Sequence, residues 1–411
     1  MQFRVLSLLF VLGGSIVGFS YCADSTTDSP TAINVDRRCG EDLGNLWLDV
    51  VAVVDNSIGM TDFGLTDIAA SIASVFSNNT RIGVQDYEPR TTRVGLVTYN
   101  AVANTAASLD KYQSINDLYN GVFTDLAKVS STDESYLANG LAAAEQILEA
   151  GKHDYNRSHY QKVVIVYAST YKGDGSLNPL PVAERLKSSG VIIVTVAYDQ
   201  AGDGALLADL AKIATLYYNF SNTDNGGNTL GEIQGALLQA NCFCPNSWTQ
   251  FRVEFSDVYS YRYGLCLQAV GLTAVWRAAR LSCQNRWPGS FLVNEYHSNK
   301  HDYVLSLVEN TTGFAQPFTY HIGLSLSVGQ WKWDQPAGAP QKPLVEWNDW
   351  NNGFPIASSS LTAVLNQQSS SVVATGWQNV QPWTTSANYV CEVVSCDTDN
   401  YCDSLGDELK V

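Results

Sequence analysis

The chain has 411 residues, with 24 Lys and Arg against 40 Asp and Glu, for a net charge of −16. That length suffices for two domains that each bury a core. So acidic a surface, with so few cations, excludes binding to nucleic-acid backbones and to anionic lipid, so the sequence implies no nucleic acid partner and no membrane insertion.

In chain order, Arg4 precedes an apolar run, Val5–Phe19, and small residues follow around Ser20–Ala23. This is the pattern of a signal peptide over residues 1–22, and no later run is long and apolar enough to span a bilayer. A secreted, extracellular protein is the expectation. Nine cysteines are present. Setting Cys22 aside leaves Cys39, Cys242, Cys244, Cys266, Cys283, Cys391, Cys396 and Cys402, an even set that reads as disulfides with the pairing open. Sequons at Asn78, Asn156, Asn219 and Asn310 offer glycosylation in the same compartment.

From 39 to 242, apolar strands alternate with amphipathic helices. Leu46–Val54 reads as a strand buried on both faces and ends at Asp55-Asn56-Ser57-Ile58-Gly59. A helix with Ile68, Ile72, Val75 and Phe76 on one face follows. Arg93–Tyr99, Val163–Tyr167 and Val191–Ala197 are further strands. Leu137–Ala150, Pro181–Ser189 and Leu206–Ala214 are further helices, the first closed by Gly151. This alternation predicts an α/β doubly wound parallel sheet, with any site beyond the carboxyl ends of the strands, at Asp55–Gly59.

The segments VVAVVDNSIG at 50–59, RVGLVTYN at 93–100, SSTDESYLANGLAAAE at 130–145 and GVIIVTVAY at 190–198 together resemble a von Willebrand factor type A domain. That resemblance implies a metal site made of Asp-x-Ser-x-Ser, a later Thr and a late Asp. Asp55 and Ser57 match, and Thr132 is the corresponding Thr. Gly59 replaces the second Ser, and Ser169 stands where the late Asp belongs. The implied metal set Asp55, Ser57 and Thr132 is therefore degenerate: no cofactor is required, and a weakly bound Mg²⁺ or Ca²⁺ is the ion it leaves room for. The competing reading is that Asp55 and Ser57 cap the following helix.

The composition changes at Cys242-Phe-Cys244. From 244 to 396 the chain is rich in Trp, Tyr and Ser, with Thr273 and Ser298 expected to cap two helices. CPNSW at 244–248, WRAARLSC at 276–283, GSFLVNEYHS at 289–298, WKWDQP at 331–336, WNDWNNGFP at 347–355, GWQN at 376–379 and YVCE at 389–392 resemble, in that order, an α+β C-type lectin-like fold. The resemblance implies disulfides Cys244–Cys266 and Cys283–Cys391, leaving Cys39 with Cys242 and Cys396 with Cys402. The family's other core bridge is absent, its positions falling on Ser371 and Pro382. The short Cys396–Cys402 loop opens an acidic C-terminal tail, 397–411, and its loss is expected to matter less than that of Cys283–Cys391.

The lectin family's calcium loop would be Glu-Pro-Asn or Gln-Pro-Asp, but here it reads Phe354-Pro355-Ile356, and the last motif reads Trp377-Gln378-Asn379. Two apolar side chains supply no oxygen, so calcium-dependent sugar chelation is not expected. Glu346, Asn348, Asp349, Trp350 and Asn351 form the candidate ligand-binding set, through hydrogen bonds and aromatic stacking. The competing reading is core Trp residues and turn-forming Asn residues. His297 and His301 have the spacing of a zinc helix without its Glu, and read as exposed histidines. No nucleophile is poised against a base, so the chain does not read as an enzyme.

By resemblance, the expected function is recognition or adhesion in innate immune defence. The partners would be a glycan or glycoprotein ligand, with extracellular protein partners as a further class. The alternative is a matrix or protein–protein adhesion protein without sugar binding.

Overall fold

The computed structural model describes residues 34–76, 79–198, 205–223, 228–345, 347–369 and 375–406. The signal-peptide stretch, Cys22, Asn78, Glu346, Ser371 and residues 407–411 lie outside the described residues.

The first half contains β1 (Leu48–Asp55), α1 (Thr61–Val75), β2 (Arg93–Tyr99), β3 (Ala103–Ala107), α2 (Ile115–Asp125), α3 (Leu137–Ala150), β4 (Gln161–Ala168), α4 (Leu180–Ser188), β5 (Ile192–Ala197), α5 (Ala205–Leu210), β6 (Asn219–Ser221) and α6 (Thr229–Ala240). The strands form one sheet in the order β3-β2-β1-β4-β5-β6, parallel except for the edge strand β3. Every residue of β1 is buried, because the strand lies between β2 and β4 with helices on both faces. Its alternate side chains divide two cores. Val50, Ala52 and Val54 pack with α1, α2 and α6, while Val51 and Val53 pack with α3, α4 and α5. The doubly wound α/β expectation holds. The helix expected at Leu206–Ala214 is shorter, ending at Leu210.

The second half contains β7 (Thr249–Arg252), β8 (Arg262–Val275), α7 (Trp276–Gln284), β9 (Phe291–Leu292), α8 (Ser298–Glu309), β10 (Thr319–Ser327), β11 (Gln330–Trp333), β12 (Lys342–Pro343), β13 (Ala363–Gln368), β14 (Thr375–Val380) and β15 (Ser386–Val394). They build a nine-stranded sheet along the path β12-β11-β10-β15-β8-β7, with the β13–β14 hairpin on β10 and β9 on β15. Two expected caps are corrected. Thr273 lies inside β8, because cross-strand pairing with β15 continues to Val275 opposite Ser386, so α7 starts only at Trp276. Ser298 is the first residue of α8, whose N-cap is His297 without a side-chain capping bond.

Disulfides join Cys39 to Cys242, Cys244 to Cys266, Cys283 to Cys391 and Cys396 to Cys402, the pairs that the resemblance implies. The described part of the acidic tail folds back rather than trailing. Trp47, the residue before β1, donates its indole N–H to the Asp397 carbonyl at 3.0 Å and packs among Tyr160, Phe243 and Tyr401. Arg37 pairs with the buried Asp397 carboxylate, Nη2 to Oδ1 at 3.0 Å. On the other side of the same segment, Lys300 of α8 sits fully buried between Asp36 at 2.7 Å and Glu392 of β15 at 2.9 Å.

Candidate functional site

β1 delivers Asp55 to the carboxyl edge of the first sheet, where it is fully buried. Its Oδ1 accepts the Ser57 N–H at 2.9 Å. Its Oδ2 accepts the Ser169 hydroxyl at 2.6 Å and the Ser169 N–H at 3.3 Å. Asp55 therefore caps no helix: α1 begins at Thr61, and the carboxylate instead ties the end of β1 to the end of β4. Thr132 is half-buried. Its carbonyl accepts Ile58 N–H at 2.9 Å, which docks its loop on the same turn, and its hydroxyl accepts the Glu134 N–H at 3.2 Å.

A Cβ added at Gly59 would lie 3.6 Å from Ser169 Oγ and 3.9 Å from Ser57 Oγ, so the side chain missing there would have pointed at this cluster. A hard divalent cation needs about six oxygens anchored by carboxylates. One carboxylate with both oxygens already accepting hydrogen bonds does not fit that requirement. Among the described residues, no group of three or more His, Cys, Asp or Glu side chains is placed to hold a metal.

In the second domain, the calcium-loop position is closed by protein hydrogen bonds. Asn379, 3% exposed, accepts Ile356 N–H at 2.8 Å and donates to the carbonyls of Ile356 at 2.9 Å and Leu361 at 3.0 Å. Its amide thus holds the loop backbone.

The candidate ligand set is divided. Asn348 is exposed, and Asp349 and Trp350 are half-buried beside each other in the loop. The Asn351 amide donates to the Gly376 carbonyl at 3.0 Å and that of Gln367 at 3.3 Å, fastening the loop to the β13–β14 hairpin. Trp347 and Trp350 both stand edge-on against the buried Trp377, with ring centroids 5.1 and 5.7 Å away. Of the sequons, Asn156 and Asn310 are exposed, whereas the Asn219 amide accepts Thr195 Oγ at 2.6 Å and donates to Leu207 O at 2.9 Å.

Sequence reasoning missed what lies beneath this loop. His301 is 5% exposed, which corrects the expectation of an exposed histidine. Its Nδ1 is 2.9 Å from Glu295 Oε2, and its Nε2 is 2.7 Å from Thr375 Oγ1 and 3.6 Å from Asp349 Oδ2. Glu295, fully buried, also accepts from Trp377 Nε1 at 2.9 Å and from Asn366 Nδ2 at 2.8 and 3.0 Å. Burial alone would lower the His301 pKa, but the Glu295 carboxylate lifts it to about 9. Burial likewise acts to raise Glu295, and His301, Trp377 and Asn366 together hold it below the usual carboxylate value.

Thr375, His301 and Glu295 thus have the order of a nucleophile triad. At neutral pH, however, the ring is a cation with no lone pair to take the Thr375 proton. The arrangement is an ion pair. The signal for it was a charged residue just after an apolar run, Glu295 after Phe291–Val293.

A family model for the von Willebrand factor type A domain matches residues 49–236. C-type lectin domain-containing protein 160 of Caenorhabditis elegans is 25% identical over 396 residues, which is 92% of this chain and 58% of the relative, so this chain spans less than two thirds of that protein's length. Among solved structures, proximal thread matrix protein 1 from the mussel byssus is 18% identical, with a TM-score of 0.39, over 50% of this chain and 49% of that one. The C-type lectin CEL-I from Cucumaria echinata is 16% identical, with a TM-score of 0.29, over 36% of this chain and 96% of that one. Residues 49–236 thus match the von Willebrand factor type A family model, and the chain as a whole is similar to a C-type lectin domain-containing protein.

Proposed function

We propose that this chain is a secreted recognition protein that binds carbohydrate or glycoprotein ligands in innate defence, without catalysis and without a divalent cation. The observation that carries the reading is the closure of the lectin calcium position by Asn379 on the Ile356 backbone. Contact with a saccharide then falls to the loop side chains Asn348, Asp349 and Trp350, by direct hydrogen bonds and stacking. Four disulfides support an extracellular setting. Single-site affinity from such contacts is weak, and useful avidity needs repeated epitopes on a surface.

A second reading, adhesion to protein, draws on the first domain. Ile58, Phe63 and Val102 are 51%, 85% and 65% exposed in the loops and helix start that follow β1 and β2, leaving apolar surface near Asp55.

A glycan array run in calcium and again in EDTA tests both. The proposal expects the same bound spots in each condition and their loss in Asp349→Ala. Spots abolished by EDTA would overturn cation-free binding. A blank array with a protein captured through Phe63, and lost in Phe63→Ser, selects the second reading.

A further inference from the structure

Behind Asn348, Asp349 and Trp350 a column of polar groups runs from the buried core of the lectin-like domain to the loop surface. At its base, Glu295 is saturated by donors from α8, β13 and β14, and so cannot turn away. Above it stands the His301 ring, 5.8 Å from the Trp347 ring centroid. At the top is Asp349, whose side chain is 38% exposed, and whose carbonyl accepts the Trp377 N–H at 2.7 Å. Between Gln335 and Leu361, Asp349 is the one acidic side chain among the described residues. The charged groups facing His301 are Glu295 ahead of α8, Asp302 on α8 and Asp349 in the loop, while Tyr320 faces Glu295 from β10.

We propose that His301 is a positioning residue of the saccharide site: carrying a proton on each nitrogen, it donates from Nδ1 to Glu295 and from Nε2 to Thr375, and its positive charge, 3.6 Å from the Asp349 carboxylate, holds that carboxylate toward the hydroxyls of a bound sugar. This rests on the glycan-binding reading above. A neutral ring has a single N–H, so it can donate to only one of Glu295 and Thr375, and it carries no charge to attract Asp349. It would also leave the Glu295 and Asp349 carboxylates on either side of an uncharged group, and their repulsion in a partly dry setting pushes the exposed one outward. Trp347, packed on the ring, moves with it.

The full chain with ring-labelled histidine gives a readout that needs no ligand. In the wild type, the His301 resonance titrates near pH 9, and the near-ultraviolet dichroism of the loop tryptophans changes over the same interval. In His301→Gln that dichroism step disappears, and in Asp349→Asn the His301 titration moves to lower pH. On a printed array of neutral and acidic saccharides at pH 7.5, His301→Gln binds on the order of tenfold more weakly, a loss typical of one charge-assisted contact. Binding also falls as the pH passes 9. A dichroism step that persists in His301→Gln, or array binding by that variant equal to wild type, overturns the positioning role. A blank array together with the ligand-free titration and step leaves the column standing and removes the glycan reading instead.

Discussion

Ser169 donates its hydroxyl hydrogen to Asp55 across the ends of β4 and β1, at 2.6 Å. A serine thus stands where a second acid would complete a metal site, and it turns a ligand position into an internal hydrogen bond. Neutral hydroxyl and carboxylate attract, whereas two carboxylates at that separation repel unless a cation lies between them.

Millimolar Mg²⁺ should accordingly shift the melting temperature of the wild-type chain by less than about 1 °C, a small fraction of a kcal/mol. The repaired variant Gly59→Ser/Ser169→Asp should melt lower than wild type in EDTA. It should regain about 2.7 kcal/mol at a Mg²⁺ concentration a hundred times its dissociation constant. Differential scanning calorimetry distinguishes these. A rise of several degrees in the wild type, lost in Asp55→Ala, would refute the account of Asp55.

The Lys300 ammonium lies between Asp36 and Glu392, all three buried. Burial raises the Glu392 pKa against the pull of Lys300. Lys300→Met leaves two buried carboxylates facing each other and should cost about 3–5 kcal/mol in urea unfolding. The triple variant Asp36→Asn/Lys300→Met/Glu392→Gln should recover most of that loss, since it is the uncompensated charge that is costly. A triple variant no better than the single one would show that packing, not charge, governs this site.

Cys396–Cys402 closes a loop with a sequence separation of 6, and chain entropy alone credits it with about 2 kcal/mol. The structure adds a second role, because this loop presents the Asp397 carbonyl and the Tyr401 ring to Trp47. Cys396→Ala/Cys402→Ala and Trp47→Ala should therefore be non-additive. A double-mutant cycle should return a coupling of about 1 kcal/mol or more. Simple additivity would restore the expectation, drawn from loop length, that this staple matters little.

Two histidines should give the lectin-like domain a stability maximum close to pH 6.5. The folded pKa of His301 is raised to about 9, so its contribution is fully present below its unfolded value near 6.5 and is lost as pH rises through 9. Burial lowers His321 to about 4 against the carbonyls of Ala274 and Thr385, so the domain loses stability as pH falls from 6.5 toward 4. Urea midpoints from pH 4 to 10 check both limbs. His301→Gln should flatten the alkaline limb and leave the acid one, and an unchanged alkaline limb would mean that His301 is not held protonated.

The doubly wound first domain was legible because its signal is periodic and local. Val50–Val54 is an unbroken apolar run within a strand that is buried throughout, as one covered on both faces must be, and the helices after it repeat at their own spacing. Asp55, Ser57, Gly59 and Ser169 could be placed for the same reason, as each lies at a strand's end or within four residues of it. The helix starts in the lectin-like domain were misread at Thr273 and Ser298, where strand pairing and a neighbouring residue override a local capping preference.

By itself, then, the sequence determined the two layered architectures, the even set of cysteines, and which residue types stand where the two resemblances imply metal ligands, because each depends on residue type at short, regular spacing. Tertiary structure alone decided that His301 is an internal cation on Glu295, that Lys300 bridges Asp36 and Glu392, and that the tail returns to Trp47. Those partners are brought together by packing over long stretches of chain, 264 residues between Asp36 and Lys300 and 350 between Trp47 and Asp397. A charge acquires its pKa and its role only from the neighbours that the fold puts beside it.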